Sequence, residues 1–163
     1  MVDRITHGVE WDSVISRNEE GARRAVMHLV ERGHRRIGGI FGREHVSSIQ
    51  QRIAGFRAAL ESAGITPDPD YIRKGCCDQD QAQIAAQSLL NLPNRPTALF
   101  TSNNQVMIGT LHAIRNHGLT CPAVLIRKAD ICLPEKRAKG CLKGLRSIVL
   151  ISVSPCGPSS VDA

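Results

Sequence analysis

The sequence predicts an α/β fold, a doubly wound parallel sheet inside a three-layer sandwich, from two observations. Amphipathic helical segments alternate with short apolar segments of strand length, a pattern typical of a parallel sheet that helices cover on both faces. Three of the helical segments also run into a glycine, at Gly33, Gly64 and Gly118, and a left-handed glycine commonly closes a helix. The alternation stops near Pro122, well before the end of the 163-residue chain.

The first half of the pattern contains two helices and two strands. Apolar residues at helical spacing predict one helix over 19–32 and another over 48–63. Between them, residues 36–41 form a predicted buried strand. A turn rich in proline and aspartate over 66–70 leads to a less apolar strand over 71–76, which we expect at an edge of the sheet or at the end of a strand.

The second half repeats the pattern. Asp78 and Gln81 have the spacing of a capping box, which predicts that a third helix opens there. Residues 97–101 form a third predicted strand. Ser102 and Gln105 make a second capping box, so a fourth helix should follow. Both crossovers between parallel strands should be right-handed.

Composition is that of a globular domain, with 42% hydrophobic and 22% charged residues. Membrane spans need roughly 20 consecutive apolar residues, and no segment approaches that length. The first residues lack the apolar core of a signal peptide, so we expect a cytoplasmic protein without a membrane partner. The net charge is +6. Most of it follows Gly118, where no helix face aligns the charges for nucleic acid.

Residues that would carry chemistry are scattered. The six cysteines form no C-x-x-C pair, so we predict reduced thiols, no disulfide and no metal. Cys76 and Cys77 are expected to close a strand as small apolar residues. No nucleophile elbow, phosphate loop or metalloprotease motif occurs, and we predict no enzyme activity and no cofactor. His34 should satisfy the last carbonyls of a helix rather than act in catalysis.

Two positions near the carboxyl ends of predicted strands are candidates for a ligand site. Arg52 offers a planar donor fork that suits hydroxyl pairs or carboxylates. Asn103 follows the third strand and offers both a donor and an acceptor to a sugar hydroxyl. Two alternatives stay open: Arg52 as a solvated helix arginine, and Asn103 or Asn104 as a plain helix cap.

Several separated motifs resemble the lactose-repressor (LacI/GalR) family of bacterial transcriptional regulators. The motifs are Gly33-His34-Arg35-Arg36-Ile37-Gly38, Arg52-Ile53-Ala54-Gly55-Phe56, Pro96-Thr97-Ala98-Leu99-Phe100, Ser102-Asn103-Asn104, Val2-Asp3-Arg4 and Asp12-Ser13-Val14. The resemblance implies a two-lobed core of the periplasmic-binding-protein-like I fold. In this family the core binds a sugar or a nucleobase, and an N-terminal helix-turn-helix reads an operator.

The resemblance divides the chain into three parts. Residues 1–16 match a remnant of the first lobe, 17–122 match most of the second lobe, and 123–163 are a divergent tail that we expect to be partly disordered. The helix-turn-helix has no counterpart in the sequence, so we expect a truncated fragment that cannot bind operator DNA alone. The Asp-Asn that commonly precedes the first helix in the family is Arg17-Asn18 here.

The resemblance also implies roles for single residues. By position, Asp3, Arg52 and Asn103 match residues that contact the effector in the family. Ile108 and Leu111 match a helix that contributes to the homodimer interface. The implied function is that of an effector-sensing core of a DNA-binding regulator, one of the family's repressors, with a sugar-like effector. The alternative is a fragment of the sugar-binding protein of a transporter, which shares the fold.

The tail departs from the family after Pro122. Residues 123–130 do not fit the family's next strand, which ends in Gly-Phe/Tyr-Asp, and lysine and cysteine become more frequent. We hypothesise that this tail comes from a shifted reading frame; intact relatives in the same genome should instead continue as Pro-x-Asp-Ile/Val. Two apolar segments, 123–126 and 147–153, are strand candidates, and we expect the first to pair beside the third predicted strand.

Overall fold

The computed structural model describes residues 17–119 and 149–152. Helices and strands alternate in the order α1 (Asn18–Glu31), β1 (Ile37–Ile40), α2 (Ser47–Ser62), β2 (Ile72–Arg73), α3 (Gln79–Leu90), β3 (Ala98–Thr101), α4 (Asn104–Asn116) and β4 (Val149–Ser152). A 3-10 turn at Pro69–Tyr71 follows the predicted proline-rich turn. The four predicted helices and three predicted strands are therefore confirmed. The first-lobe remnant and the strand candidate at 123–126 lie outside the described residues.

The strands form one sheet in the order β2-β1-β3-β4. β1 pairs in parallel with both neighbours, with Gly39 opposite Ile72 and Ile37 opposite Ala98. The edge position expected for β2 is confirmed, but the strand is two residues long rather than six. Gly75 has a φ of 80°, and this left-handed turn bends the chain soon after Arg73.

The three predicted strands are parallel, and the fourth strand, from the tail, runs in the opposite direction. β4 comes from the second apolar tail segment and runs antiparallel to β3, with Ala98 opposite Ser152 and Thr101 opposite Val149. An apolar strand can satisfy its backbone donors and acceptors in either direction. The tail thus covers the edge of β3 with a strand from 147–153, at the place where we expected 123–126.

Two helix pairs cover the two faces of the sheet. α1 and α2 pack on one face, over a core that includes Ala22, Val26, Leu29, Ile37, Phe41, Phe56, Ala98 and Phe100. α3 and α4 pack on the other, over Ile40, Cys76, Ala82, Leu89, Leu99, Val106 and Ile114. All eight residues of β1 and β3 are buried, as expected for central strands with helices on both sides. No helix in 17–119 is long and apolar enough to cross a bilayer.

The predicted glycine helix ends are confirmed, and α1 shows how they form. Gly33 has a φ of 87°; its N–H donates to the carbonyl of Val30, and the N–H of His34 donates to that of Leu29. This pair of bonds is the Schellman motif, and α2 and α4 end in the same way. The His34 backbone therefore satisfies a helix carbonyl, as predicted, whereas its ring contacts the Thr97 hydroxyl at 3.0 Å.

Each helix pair also approaches closely at a glycine in the middle of its second helix. A Cβ atom added to Gly55 of α2 would lie 2.1 Å from the carbonyl oxygen of Glu19 in α1. A Cβ atom added to Gly109 of α4 would lie 2.1 Å from the carbonyl oxygen of Gln79 in α3. Glycine at position 55 thus lets the beginning of α1 approach α2, and glycine at position 109 lets the beginning of α3 approach α4.

Candidate functional site

The candidate site lies where the connections after β1 and β3 part. β1 and β3 are neighbours in the sheet, but β1 leads to α2 on one face and β3 leads to α4 on the other. Connections that diverge to opposite faces leave a crevice outside the carboxyl ends of the two strands, which is the usual ligand position in such sheets. Four polar or small residues meet there: Asn18, Arg52, Ser102 and Asn103, beside Gly42.

Ser102 joins the two connections. Its backbone N–H donates to the Ile40 carbonyl at 3.0 Å, and its hydroxyl oxygen accepts from the N–H of Gly42 at 2.9 Å. The Asn103 amide donates to the same hydroxyl at 3.4 Å. Ser102 is fully buried, so these bonds hold the ends of β1 and β3 in one arrangement.

Asn103 is the N-cap of α4. Its side-chain oxygen accepts from the N–H of Val106 at 3.0 Å, which corrects the predicted capping box by one residue, because Ser102 turns towards Gly42 instead. The capping alternative is thus confirmed for Asn103, whereas Asn104 is the exposed first residue of α4. A Cβ atom on Gly42 would lie 2.9 Å from the Asn103 amide nitrogen, so glycine at 42 leaves room for this side chain.

Arg52 is buried, with 4% of its surface exposed, and the alternative of a solvated helix arginine is wrong. Its Nε and Nη2 donate to the side-chain oxygen of Asn18 at 3.0 and 2.9 Å. Its Nη1 donates to the Ser102 carbonyl. The guanidinium therefore links the beginning of α1, the middle of α2 and the residue that follows β3.

A second set of contacts lines the rim, where the connections after β1 and β2 meet. The Arg43 Nε donates to the Cys77 sulfur at 3.0 Å, and Lys74 pairs with Glu44 at 3.0 Å. The Cys77 thiol raises the pKa of Arg43 through this hydrogen bond. Cys76 and Cys77 are both free thiols. Cys76 is buried and Cys77 is exposed. Because β2 ends at Arg73, the prediction that the two cysteines close a strand is wrong.

The buried Cys76 thiol and the partly buried His34 imidazole both have shifted pKa values. Burial raises the pKa of Cys76, and the neighbouring Cys77 and Asp78 raise it further. Burial lowers the pKa of His34, and the charge of Arg32 lowers it further. His34 lies at the opposite end of the strands from Ser102, next to the beginning of β3, so its titration does not act on the candidate site.

The predicted site residues have different places in the structure. Arg52 and Asn103 both reach Ser102, one through its carbonyl and the other through its hydroxyl. Asp3 lies outside the described residues. Ile108 and Leu111 are partly exposed on α4, and Leu111 also packs against the core beneath α3 and α4. The effector-binding and dimer-interface roles stay predictions.

Two residues of the site were missed by sequence reasoning. Asn18 binds Arg52, although the two lie 34 positions apart in sequence; the only signal was its place directly before a predicted helix. Ser102 was read as a cap and instead bridges to Gly42. Within the described part of the chain, no group of three or more His, Cys, Asp or Glu side chains is arranged to hold a metal ion.

One open cavity of about 570 Å³ lies away from this crevice. It sits between α2 and the edge strand β2, and its walls are Arg57, Glu61, Pro67, Pro69, Ile72 and Lys74. Among the described residues, Arg52, Asn103, Ile108 and Leu111 are not part of its lining. The crevice at Ser102 is defined by its hydrogen bonds and by its place in the sheet.

The fold and this polar crevice define an α/β ligand-binding lobe, and comparison with known proteins places it in a family. Residues 26–125 match the periplasmic binding protein-like domain. The chain belongs to this family, and the relatives and structures it matches within the family are LacI/GalR-type regulators. The fold class expected from the resemblance is confirmed.

Two curated relatives illustrate the match. The HTH-type transcriptional repressor PurR of Aliivibrio salmonicida is 34% identical over 111 residues, which cover 68% of this chain and 33% of that protein. The HTH-type transcriptional repressor CytR of Escherichia coli is 35% identical over 122 residues, which cover 75% of this chain and 36% of that protein. The chain thus spans about a third of the length of these relatives.

Solved structures agree with the sequence comparison. A regulatory protein of the LacI family from Chloroflexus aggregans has a TM-score of 0.64 and 30% identity, over 72% of this chain and 43% of that one. The transcription regulator CcpA of Lactococcus lactis has a TM-score of 0.66 and 26% identity, over 74% of this chain and 44% of that one.

Proposed function

We propose that this chain is an effector-sensing core lobe of a LacI-type DNA-binding transcriptional regulator, and specifically of a repressor. The observation that carries the proposal is that Arg52 and Asn103 meet at Ser102, in the crevice between the diverging connections of β1 and β3. The curated relatives PurR and CytR, both named HTH-type transcriptional repressors, support it. They also disfavour the alternative of a transporter's sugar-binding protein, and they support a cytoplasmic protein without enzyme activity.

The proposed effector is a small molecule of the sugar or nucleobase class. The Arg52 guanidinium donates in a plane, which suits a pair of hydroxyl oxygens or a ring nitrogen beside a carbonyl. Asn103 is half-buried, and its amide offers a donor beside its capping oxygen. We assign Asp3 to the same site as an acceptor, by its match to the family. Operator DNA is the proposed partner of the whole regulator, through the helix-turn-helix for which the curated relatives are named.

The effector proposal can be tested by NMR on the 163-residue chain. D-ribose and adenine are added separately at millimolar concentrations. One of the two probes should shift the backbone amide signals of Gly42, Ser102 and Asn103. Arg52→Lys keeps the charge but removes the planar fork, so these shifts should disappear. The matched control Asn104→Ala changes an exposed residue one position from Asn103 and should leave them. Shifts that survive in Arg52→Lys, or that occur with neither probe, would contradict the proposal.

We also propose that a second copy of the chain packs against the outer face of α3 and α4. Ile108 and Leu111 are partly exposed there, and Ile84 of α3 is 66% exposed. Isolated apolar residues are common on protein surfaces, and a single one would not indicate an interface. The proposal rests on three such side chains in the same helix layer and on the match of α4 to the family. A two-fold interface would bury the same face on both copies.

The dimer proposal is tested by analytical ultracentrifugation. Ile108→Asp places a charge in the proposed interface and should shift the chain to monomer, because an unpaired buried charge strongly opposes association. Gln50→Asp, at an exposed position of α2 on the other side of the sheet, is the control and should sediment like the original chain. An unchanged dimer in Ile108→Asp, or a monomer for the original chain at every concentration, would rule this interface out.

A further inference from the structure

We propose that Asn18 is a positioning residue, which fixes the orientation of the Arg52 guanidinium at the crevice. The expected effect on effector binding rests on the proposed function. The contact between the two side chains does not depend on it. Asn18 is the first residue of α1 and is 1% exposed. Nothing in the family resemblance assigned it a role.

The contact between the two side chains is two-pronged. A single oxygen of Asn18 accepts from Nε and from Nη2 of Arg52, at 3.0 and 2.9 Å. These two bonds fix the position of one edge of the guanidinium, and the Nη1 bond to the Ser102 carbonyl supplies the second acceptor that fixes its plane. A contact through one nitrogen would leave the group free to turn about that bond.

Asn18 is itself held in place. Its side-chain nitrogen donates to the Gln51 side-chain oxygen at 3.1 Å, and Gln51 precedes Arg52 on α2. Further along the two helices, the close approach of Gly55 to the Glu19 carbonyl brings α1 against α2. The beginning of α1 therefore cannot move away from Arg52 without breaking both the amide contact and the helix packing.

The arrangement decides which part of Arg52 can meet a ligand. Of its five N–H groups, two donate to Asn18 and one to the Ser102 carbonyl. Any other partner, whether from this chain or from an effector, must use the remaining N–H groups on the two terminal nitrogens. Since Ser102 directly precedes Asn103, these terminal nitrogens lie beside the other predicted effector contact.

The choice of asparagine is also informative. An amide oxygen orients the guanidinium without adding a negative charge, whereas a carboxylate at this position would form an ion pair and offset the cation. Asn18→Asp should therefore preserve the orientation of Arg52. Asn18→Ala removes the acceptor and should release it. Comparing these two variants therefore shows whether the acceptor oxygen at position 18 holds the guanidinium in place.

The test uses the side-chain Nε–H signal of Arg52 in NMR spectra of the 163-residue chain, assigned by its loss in Arg52→Lys. The signal should be resolved and slow to exchange with water in the original chain and in Asn18→Asp. In Asn18→Ala it should broaden or merge with the signals of exposed arginines. Asn104→Ala is the matched control and should leave it unchanged, and circular dichroism confirms that each variant is folded.

The same samples, titrated with D-ribose and adenine, test the consequence. The probe that binds the original chain should bind Asn18→Ala about tenfold more weakly, as expected when a hydrogen bond to a charged group is lost, and Asn18→Asp should recover part of the affinity. An unchanged Arg52 Nε–H signal in Asn18→Ala overturns the inference. Absence of binding by the original chain, with the signal lost as expected, overturns the proposed function and leaves the positioning role standing.

Discussion

Gly55→Ala is expected to destabilise the chain by about 3 kcal/mol, at the upper end of what overpacking a protein core costs. The new methyl group would lie 2.1 Å from the Glu19 carbonyl oxygen and 2.9 Å from its carbon. Both atoms belong to the backbone of α1, so no side-chain rotation can relieve the clash. For a domain of this size, the melting temperature should fall by roughly 10 to 20 °C. The measurement is thermal and urea denaturation followed by circular dichroism.

Gly109→Ala should behave in the same way, because the new methyl group would meet the Gln79 backbone oxygen at 2.1 Å. The control is Gly64→Ala. Gly64 has a φ of 68° but no atom within 4 Å of an added Cβ, so that variant should lose about 1 to 2 kcal/mol from backbone strain alone. If Gly55→Ala melts at the temperature of Gly64→Ala, the helices can separate at little cost and the close contact does not constrain the fold.

The close contacts matter for the site as well as for stability. Asn18 is next to Glu19, and Arg52 lies one turn before Gly55 on α2. A wider spacing of α1 and α2 would lengthen the hydrogen bonds between Asn18 and Arg52, which are 3.0 and 2.9 Å long. The folded fraction of the Gly55→Ala variant should therefore show the same change in the Arg52 Nε–H signal as the Asn18→Ala variant.

The elements that sequence reasoning predicted well are those whose signal is local. The apolar stripe of α1 and the glycine that ends it at Gly33 are both contained in one stretch of sequence. The same holds for the Asp78 cap, whose oxygen accepts from the Gln81 N–H at 2.8 Å. Periodicity and capping act within a few residues, so a single sequence contains all the information they need.

The site was less predictable because its contacts are distant in sequence. Arg52 carries a charge, and a charged residue on a helix is usually exposed; its burial depends on Asn18, 34 positions away. Ser102 and Asn103 are both good caps, and the backbone path after β3 decides between them. One usable signal was overlooked: a glycine in the middle of a helix lowers helix propensity, and Gly55 and Gly109 therefore pointed to a packing requirement.

The sheet edge beyond β3 was unpredictable for another reason. Both apolar segments of the tail were strand candidates and we expected residues 123–126 beside β3, but the apolar character of β4 (Val149–Ser152) carries no information about its position or direction. Pairing with β3 along all four of its residues satisfies backbone groups that would otherwise be exposed at an edge. A strand from the divergent tail thus completes the sheet of a lobe that the family completes with a different segment.

The site also depends on the aromatic cluster beneath it. The three phenylalanines of the chain, Phe41, Phe56 and Phe100, form a triangle with ring centroids 5.5, 5.6 and 5.6 Å apart. Each is at most 1% exposed. Phe41 directly precedes Gly42, and Phe100 stands two positions before Ser102, so the cluster supports both connections that build the crevice.

Phe100→Ala is expected to lower the free energy of unfolding by about 3 to 5 kcal/mol, the usual cost of removing a fully buried phenylalanine. Phe100→Leu keeps most of the volume and should lose less. Gln50→Ala, an exposed position on α2, should stay within about 0.5 kcal/mol of the original chain. Chemical denaturation of the three variants gives these values, and equal midpoints for Phe100→Ala and Gln50→Ala would show that the cluster is not a core.

The same substitution separates the support of the site from general stability. The Gly42 N–H donates to the Ser102 hydroxyl at 2.9 Å, and this bond crosses from the end of β1 to the end of β3, directly above the cluster. Under conditions where Phe100→Ala is folded, hydrogen exchange of the Gly42 amide should accelerate more than that of amides within α3, which pack on the opposite face. Uniform acceleration across the lobe would mean that the aromatic rings stabilise the whole fold without holding the two connections together.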